Sequence, residues 1–256
     1  MFGWLTERRR ARLLERPFPA AWTAILDENV ALWRRLDDSA RARLRELIVV
    51  FVAEKRWEGC GGLELADEHR VTIAALACVL LLGREHALYE DVESILVYPS
   101  TVVAPEHRPG VFETGGRVLH ESGTPILGQA HHRGPVIVAW DDVLAGARGD
   151  VPRNVVFHEL AHKIDMVDGT IDGTPPLASS EARRRWAEVC SRAYLELRAR
   201  VDAGESPFLD DYGATNEAEF FAVVTEAYWC QPSQLRQHEP ALYGLLRSFY
   251  RFEPPD

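Results

Sequence analysis

The sequence predicts an α+β fold, with a mostly helical N-terminal part and a small mixed sheet in the middle of the chain. Through most of the first 82 residues, apolar side chains recur near a helical period. Between residues 94 and 140, β-branched runs alternate with glycines and prolines, a pattern typical of short strands and turns. Helical periodicity then returns. The chain has 256 residues, 46% of them apolar, and can bury a sizeable core.

The N-terminal third is predicted to form three helices, over residues 21–36, 39–57 and 68–82. Ser39 is the predicted N-cap of the second helix. The third helix is apolar on nearly every side, so we expect it at the centre of the core. We assign residues 1–90 to a helical N-terminal part packed on a core of residues 91–256, and we expect the two to form one compact unit.

The middle of the chain is predicted to form short strands over residues 94–98, 101–103 and 134–140, with hairpins and loops from 105 to 134. The adjacent pair His131 and His132 suggests a metal site. However, adjacent side chains on a strand point in opposite directions, so at most one of the two could join a site. We interpret the pair as part of a solvated loop and leave it out of the candidate site.

The second half of the chain is predicted to be helical again. One helix follows Asp150 and Pro152, the expected N-cap and first-turn proline, and is ended by Gly169. Later helices are predicted over residues 181–201, 217–229 and 241–250, with loops over 168–176 and 204–212.

The helix that follows Pro152 carries the pattern H-E-x-x-H, formed by His158, Glu159 and His162. Residues four apart lie on one face of a helix, so both imidazoles can reach a single ion. Glu159 is offset around the helix and can address a water on that ion. The alternative is an amphipathic helix with two histidines on its polar side. Apolar neighbours such as Leu160 and Ile164 favour a packed helix, and the pattern therefore predicts a catalytic zinc site.

A third protein ligand is needed to complete such a site. The predicted helix at 217–229 offers Glu219 and Glu226, which share a face, whereas Glu217 points elsewhere. Glu219 could instead form a capping box with Asn216. Glu226 could instead hold an imidazole in place without binding the metal. Spacing alone leaves both acids open as the ligand.

Several segments together resemble the Mlc titration factor A family of bacterial zinc metallopeptidases. They are residues 158–165 (HELAHKID), residues 211–226 (DYGATNEAEFFAVVTE), Val-Tyr-Pro at 97–99, Gly-Pro-Val-Ile-Val-Ala-Trp at 134–140 and Ser-Phe-Tyr at 248–250. The resemblance covers most of the chain from about residue 35. It implies a gluzincin-like fold, similar to the catalytic core of anthrax lethal factor.

The resemblance also implies a role for each matching residue. His158, His162 and Glu219 would bind one Zn²⁺ ion per chain, and Glu159 would act as the general base. Tyr212 stands seven residues before Glu219, as a tyrosine does in the family, and becomes the candidate for stabilising the transition state. Glu226 is left with a supporting or structural role.

Composition excludes several classes of function. The net charge of −10 argues against a general surface for nucleic acid or anionic membrane. The longest apolar run, residues 73–82, is too short to span a bilayer. The arginine-rich start has no apolar core behind it, so we do not interpret it as a secretory signal. Four scattered cysteines without C-x-x-C spacing suggest a reducing compartment, and we expect a cytoplasmic protein.

The resemblance implies a zinc metallopeptidase that hydrolyses peptide or protein substrates, with an aminopeptidase-like mode as one option. A second hypothesis comes from a different class of function. In it, the chain is a regulatory factor that binds a Mlc-like transcriptional repressor controlling sugar uptake, with weak or gated peptidase activity. A zinc hydrolase that acts on other bonds is a further alternative, because H-E-x-x-H does not itself name the substrate.

Overall fold

The computed structural model describes residues 3–84, 89–100 and 134–256. The helices are α1 Gly3–Leu14, α2 Ala20–Asn29, α3 Ala31–Arg35, α4 Asp38–Glu54, α5 Asp67–Val79, α6 Trp140–Arg148, α7 Val155–Asp165, α8 Ser180–Asp202, α9 Glu217–Cys230, α10 Pro232–His238 and α11 Pro240–Tyr250. The strands are β1 Arg56–Gly59, β2 Ser94–Tyr98 and β3 Val136–Ala139. The predicted strand at 101–103, the hairpins predicted from 105 onward, and His131 and His132 lie outside the described residues.

The described strands form one sheet in the order β1-β2-β3, and both pairings are parallel. Ile95 in the central strand pairs with Trp57 on one side and Val136 on the other. Parallel neighbours need a crossover connection, and α5 lies in the crossover between β1 and β2. Within the described part of the chain the sheet is therefore parallel, and the prediction of a mixed sheet is corrected there.

The predicted N-terminal helices need three corrections. The helix predicted over 21–36 is split into α2 and α3 by Val30, whose backbone is extended. Asp37, not Ser39, caps α4, because its side chain accepts a hydrogen bond from the amide of Ala40. That helix ends at Glu54, and the next residues form β1. The sequence of β1, Arg-Trp-Glu-Gly, has one apolar residue, and the other three residues are exposed. It therefore lacks the alternating apolar pattern that identifies a strand.

The core is one cluster of buried apolar side chains that extends from Leu26 to Tyr250. Every residue of α5 from Val71 to Val79 is buried, which confirms the prediction of a central third helix. The cluster contains residues on both sides of position 90. The division of the chain at that position stays a prediction.

The core holds α7 and α9 side by side. Helix α7 packs against α9, α5 and strand β3. The rings of Phe157 on α7 and Trp229 on α9 lie 6.3 Å apart between centroids. This packing brings residues separated by about seventy positions in sequence into contact. In the described ranges, no helix is both long enough and apolar enough to cross a bilayer.

Candidate metal centre

Helix α7 begins one residue after Asn154, whose side chain accepts hydrogen bonds from the amides of Val156 and Phe157. The N-cap predicted at Asp150 is therefore wrong, as is the first-turn position of Pro152. An asparagine carboxamide is well suited to the exposed amides of a first turn, and its position next to the helix decides the boundary. At the other end, α7 ends at Asp165 and a 3-10 turn, Met166–Asp168, continues to Gly169, the predicted stop, whose backbone is left-handed.

Three side chains converge on one point between α7 and α9. The Nε2 atoms of His158 and His162 are 3.2 Å apart. Glu219 Oε2 lies 2.9 Å from Nε2 of His158 and 3.3 Å from Nε2 of His162. These three residues form a group whose ligand atoms all lie within 4.8 Å of one another and could hold a metal ion.

The spacing of the three atoms fits a tetrahedral metal site. Bonds of about 2.0–2.1 Å to a tetrahedral zinc ion would separate neighbouring ligand atoms by about 3.3 Å. The observed separations of 2.9, 3.2 and 3.3 Å are close to that value. Two imidazoles and one carboxylate leave a fourth position for water, as in catalytic zinc sites. The donor set therefore fits the metal that the sequence predicts.

Glu226 places a second carboxylate beside His158, so that both nitrogens of this ring face an acid. Its Oε1 lies 2.8 Å from Nδ1 of His158, and its Oε2 accepts a hydrogen bond of 2.6 Å from the amide of Asn154. When Nδ1 of His158 donates its proton to Glu226, Nε2 of the same ring carries a lone pair. That lone pair faces the carboxylate of Glu219. The contact between these two atoms is repulsive unless a proton or a metal ion lies between them.

The pKa values of these groups point in the same direction. Burial opposes charge on His158, but hydrogen bonds with Glu219 and Glu226 outweigh burial and raise its pKa to about 10. Burial also opposes charge on Glu219, yet hydrogen bonds with His158 and His162 lower its pKa to about 2. The acids on either side of His158 therefore stabilise a positive charge on its ring.

The structure separates the two acids of α9 that spacing left open. Asn216 caps the helix by accepting a hydrogen bond from the amide of Glu219. The carboxylate of Glu219 does not complete a capping box and faces the two imidazoles instead. Glu226, two turns further on, contacts the other nitrogen of His158 and the start of α7. It lies where a residue that orients an imidazole would lie.

Glu159 and Tyr212 border the same group. Glu159 is only 6% exposed, and burial raises its pKa to about 7. Tyr212 belongs to the 3-10 turn Asp211–Ala214, and its ring lies 5.9 Å from that of His158 between centroids. Burial raises the pKa of its phenol, and the charges of Glu219 and Glu159 raise it further. The phenol therefore stays protonated and can donate a hydrogen bond near neutral pH.

Two polar residues of α7 outside the motif also support its position. Lys163 is buried and donates a 2.8 Å hydrogen bond to the carbonyl of Gly134, just before β3. Asp165 is fully buried and accepts a hydrogen bond of 2.9 Å from the amide of Gly173. Burial lowers the pKa of Lys163 and raises that of Asp165 to about 6. Charged residues within a packed helix are the signal that could have identified both.

Comparison with known proteins gives consistent matches along the chain. Residues 4–251 match the model of a family described as glucose-regulated metallo-peptidase M90. An uncharacterized protein of Synechocystis sp. is 34% identical over 253 residues, which cover 98% of this chain and 90% of that protein. A protein named Mlc titration factor A from Klebsiella pneumoniae is 29% identical over 223 residues, covering 86% and 82%. A protein of the same name from Yersinia pestis is 27% identical over 259 residues, covering 98% and 89%.

Proposed function

From the premise that this chain belongs to the glucose-regulated metallopeptidase family, together with the proteins named Mlc titration factor A, we propose that it is a zinc metallopeptidase of the gluzincin type. The observation that carries the proposal is the convergence of His158, His162 and Glu219 on one point beside the buried Glu159. In this proposal the first three residues bind one Zn²⁺ ion per chain. When bound, the ion lowers the pKa of its water and polarises the scissile carbonyl.

Glu159 is the general base of the proposed reaction. It accepts a proton from the attacking water and later passes that proton to the leaving amine. Its raised pKa of about 7 supports this role, because a base whose pKa lies near the working pH both accepts and releases a proton readily. Its burial also limits competition from bulk water for the carboxylate.

Tyr212 is the proposed donor to the oxyanion that develops on the scissile carbonyl. Its ring lies beside His158, and nearly half of its surface is exposed, so the side chain is accessible to a substrate. A protonated phenol supplies a hydrogen bond that strengthens as the carbonyl oxygen gains charge. Tyr212→Phe would remove only that donor and keep the ring.

The test is turnover of a panel of chromogenic peptides by the zinc-loaded protein, with Glu159→Gln as the paired variant. We expect turnover to vanish in Glu159→Gln while zinc remains bound at one ion per chain. Glu188→Gln, on the exposed side of α8, is the matched control and should keep full activity. Turnover that persists in Glu159→Gln, or no turnover by the wild type on any peptide, would contradict the proposal.

The same panel decides the mode of cleavage. An aminopeptidase-like enzyme requires a free α-amino group, so acetylation of the peptide N-terminus would abolish turnover. An endopeptidase would cleave blocked and free peptides alike.

A second candidate function is suggested by the name of the relatives, Mlc titration factor A. In it, the chain binds a Mlc-like transcriptional repressor in the cytoplasm, and this binding does not depend on peptide hydrolysis. The four cysteines are free thiols, which suits a reducing compartment. The test is a pulldown of a purified repressor by wild type and Glu159→Gln. Equal capture by both would support a separate binding role, whereas capture by neither would contradict it.

A further inference from the structure

A cavity that shares no lining residue with the candidate metal group lies between the N-terminal part of α8 and the C-terminal part of α11. It has a volume of about 310 Å³ and is bordered by Arg84, by the loop 176–179 and by the last turns of α11. Its floor is apolar and includes Trp186, Leu245 and Phe249, all of which are buried. The indole of Trp186 and the ring of Phe249 pack edge to face at 5.9 Å. Such a floor accommodates a flat or aliphatic group.

Three arginines border this cavity, although the chain as a whole carries a net charge of −10. Arg84 is held by a hydrogen bond of 3.1 Å to the carbonyl of Phe249, and its guanidinium lies 4.5 Å from the centre of that ring. Arg185 and Arg251 are exposed. No ion pair is formed by either of these two among the residues that the structure describes.

The backbone keeps this arrangement in place. Gly83 lies against the end of α11 so closely that a Cβ there would be 2.3 Å from the carbonyl oxygen of Tyr250. Arg251 follows that helix in a left-handed conformation, with φ of 52°. The cavity also receives the N-terminus of the long helix α8, whose macrodipole favours a negative charge. Among the described residues that line the cavity, Glu181 is the one acid.

We propose that this cavity binds a small organic anion, in which an apolar body packs on Trp186 and Phe249 while a carboxylate or phosphate group contacts Arg185 and Arg251. The apolar floor and the cationic rim each select one part of such a ligand. An inorganic anion would leave the floor unfilled, and a neutral compound would leave the guanidinium groups of Arg185 and Arg251 without a counter-charge.

The inner wall of the cavity is connected to the metal centre. The indole N–H of Trp186 donates a 2.9 Å hydrogen bond to the carbonyl of Gly173. The amide of Gly173 in turn donates to the carboxylate of Asp165, the last residue of α7. A Cβ on Gly173 would lie 2.3 Å from the carbonyl oxygen of Glu217, the first residue of α9. A ligand that packs on Trp186 therefore contacts a side chain bonded to a loop that touches both helices with candidate metal ligands.

The test is a titration of the protein with phenyl phosphate or benzoate. Binding is monitored by the nitrogen–proton NMR resonances of the Trp186 indole and the Gly173 amide. Benzyl alcohol and inorganic phosphate are the matched probes that lack the charge or the apolar body. We expect at least one aromatic anion to bind and to shift both resonances. The aromatic anion that binds more tightly identifies whether the site prefers phosphate or carboxylate. This measurement needs neither bound zinc nor peptidase activity, so its outcome is independent of the proposed function.

Substitution of single arginines tests whether the anion binds in this cavity. Arg185→Gln and Arg251→Gln should each weaken it about five- to tenfold, because each removes a charge-assisted contact. Arg184→Gln, an exposed neighbour on α8 that does not line the cavity, should leave binding unchanged. The proposal is overturned if neither aromatic anion binds at millimolar concentration, if benzyl alcohol binds as tightly, or if Arg184→Gln weakens binding as much as the other two. A shift of the Trp186 resonance without one at Gly173 would overturn the connection to the metal centre.

Discussion

Glu226 is buried and contacts the motif helix at two points. One carboxylate oxygen faces Nδ1 of His158, and the other accepts a hydrogen bond from the amide of Asn154, the N-cap of α7. A single side chain of α9 thus sets both the ring orientation of a candidate ligand and the start of the helix that carries it. Residues that hold a metal-binding imidazole in this way contribute to metal affinity without touching the ion.

Glu226→Gln tests this positioning role at nearly constant side-chain volume. A glutamine has one acceptor oxygen in place of two, so either the Asn154 amide or Nδ1 of His158 loses its acceptor. We expect zinc affinity to fall about 10- to 100-fold, as is usual for such supporting residues. Competition with a chromogenic chelator measures the change, and far-UV circular dichroism controls for folding. Unchanged zinc affinity would show that the contact is structural only.

Glu219→Gln tests the proposed carboxylate ligand and has a matched control on the same helix. Removing the negative charge that faces His158 and His162 should reduce zinc affinity by more than Glu226→Gln does, because a ligand is lost directly. Glu217→Gln changes an exposed acid two residues earlier and should leave zinc binding as in the wild type. The zinc retained after dialysis measures both effects. Equal zinc retention by Glu219→Gln and Glu217→Gln would exclude Glu219 as a ligand.

At the scale of elements, the loop between α7 and α8 contacts both α7 and α9, the two helices of the candidate site. Gly173 donates to Asp165 at the end of α7, receives the indole N–H of Trp186 from α8, and lies against the backbone of Glu217 at the start of α9. This one residue contacts three helices because it has no side chain. Its φ of +74° adds a second reason for glycine at this position.

Comparison of Gly173→Ala with Gly204→Ala separates the effect of close packing from the effect of positive φ. Both glycines have positive φ, 74° and 73°, but nothing lies within 4 Å of a Cβ built at Gly204. We expect Gly204→Ala to lower the free energy of unfolding by about 1–2 kcal/mol from backbone strain alone. Gly173→Ala should cost about 1–3 kcal/mol more, because its Cβ would clash with the carbonyl of Glu217. Urea unfolding of the two variants measures the difference. Equal losses of unfolding free energy would show that the loop relieves the clash with Glu217 at no cost in stability.

At the scale of the whole molecule, the candidate metal site lies on a core that does not depend on it. The buried apolar cluster extends through the helices and the sheet, from Leu26 to Tyr250. A core of this size is stable without a metal, unlike that of a small zinc domain. The metal site is a local feature of α7 and α9, and the rest of the fold positions these helices.

Removal of the metal should therefore leave the fold intact and lower its stability. We expect chelator-treated protein to keep its far-UV circular dichroism spectrum, with a lower unfolding temperature. Zinc at about 100 times its dissociation constant should restore about 2.7 kcal/mol of stability. Calorimetry with and without zinc measures the shift, and magnesium serves as the control ion. Loss of the helical spectrum on chelation would contradict this view of the core.

The local parts of the fold could be predicted from the sequence, because they depend on neighbouring residues. The spacing of His158 and His162 already places both imidazoles on one face of a helix, and the apolar residues of α5 already indicate a buried position. The break at Val30 and the exposed strand β1 could not be predicted in this way. Strand pairing and helix boundaries depend on contacts with distant segments, which local pattern does not record.

The sequence by itself determined the motif helix, two of the three candidate metal ligands and a short list of acids for the third. Family resemblance pointed to Glu219, but the spacing of Glu219 and Glu226 left either possible. Only the tertiary structure decided which carboxylate faces which nitrogen of His158. The physical reason is that the two acids share one face of α9, so their different partners follow from how α9 packs along α7, and that packing is fixed by the common core.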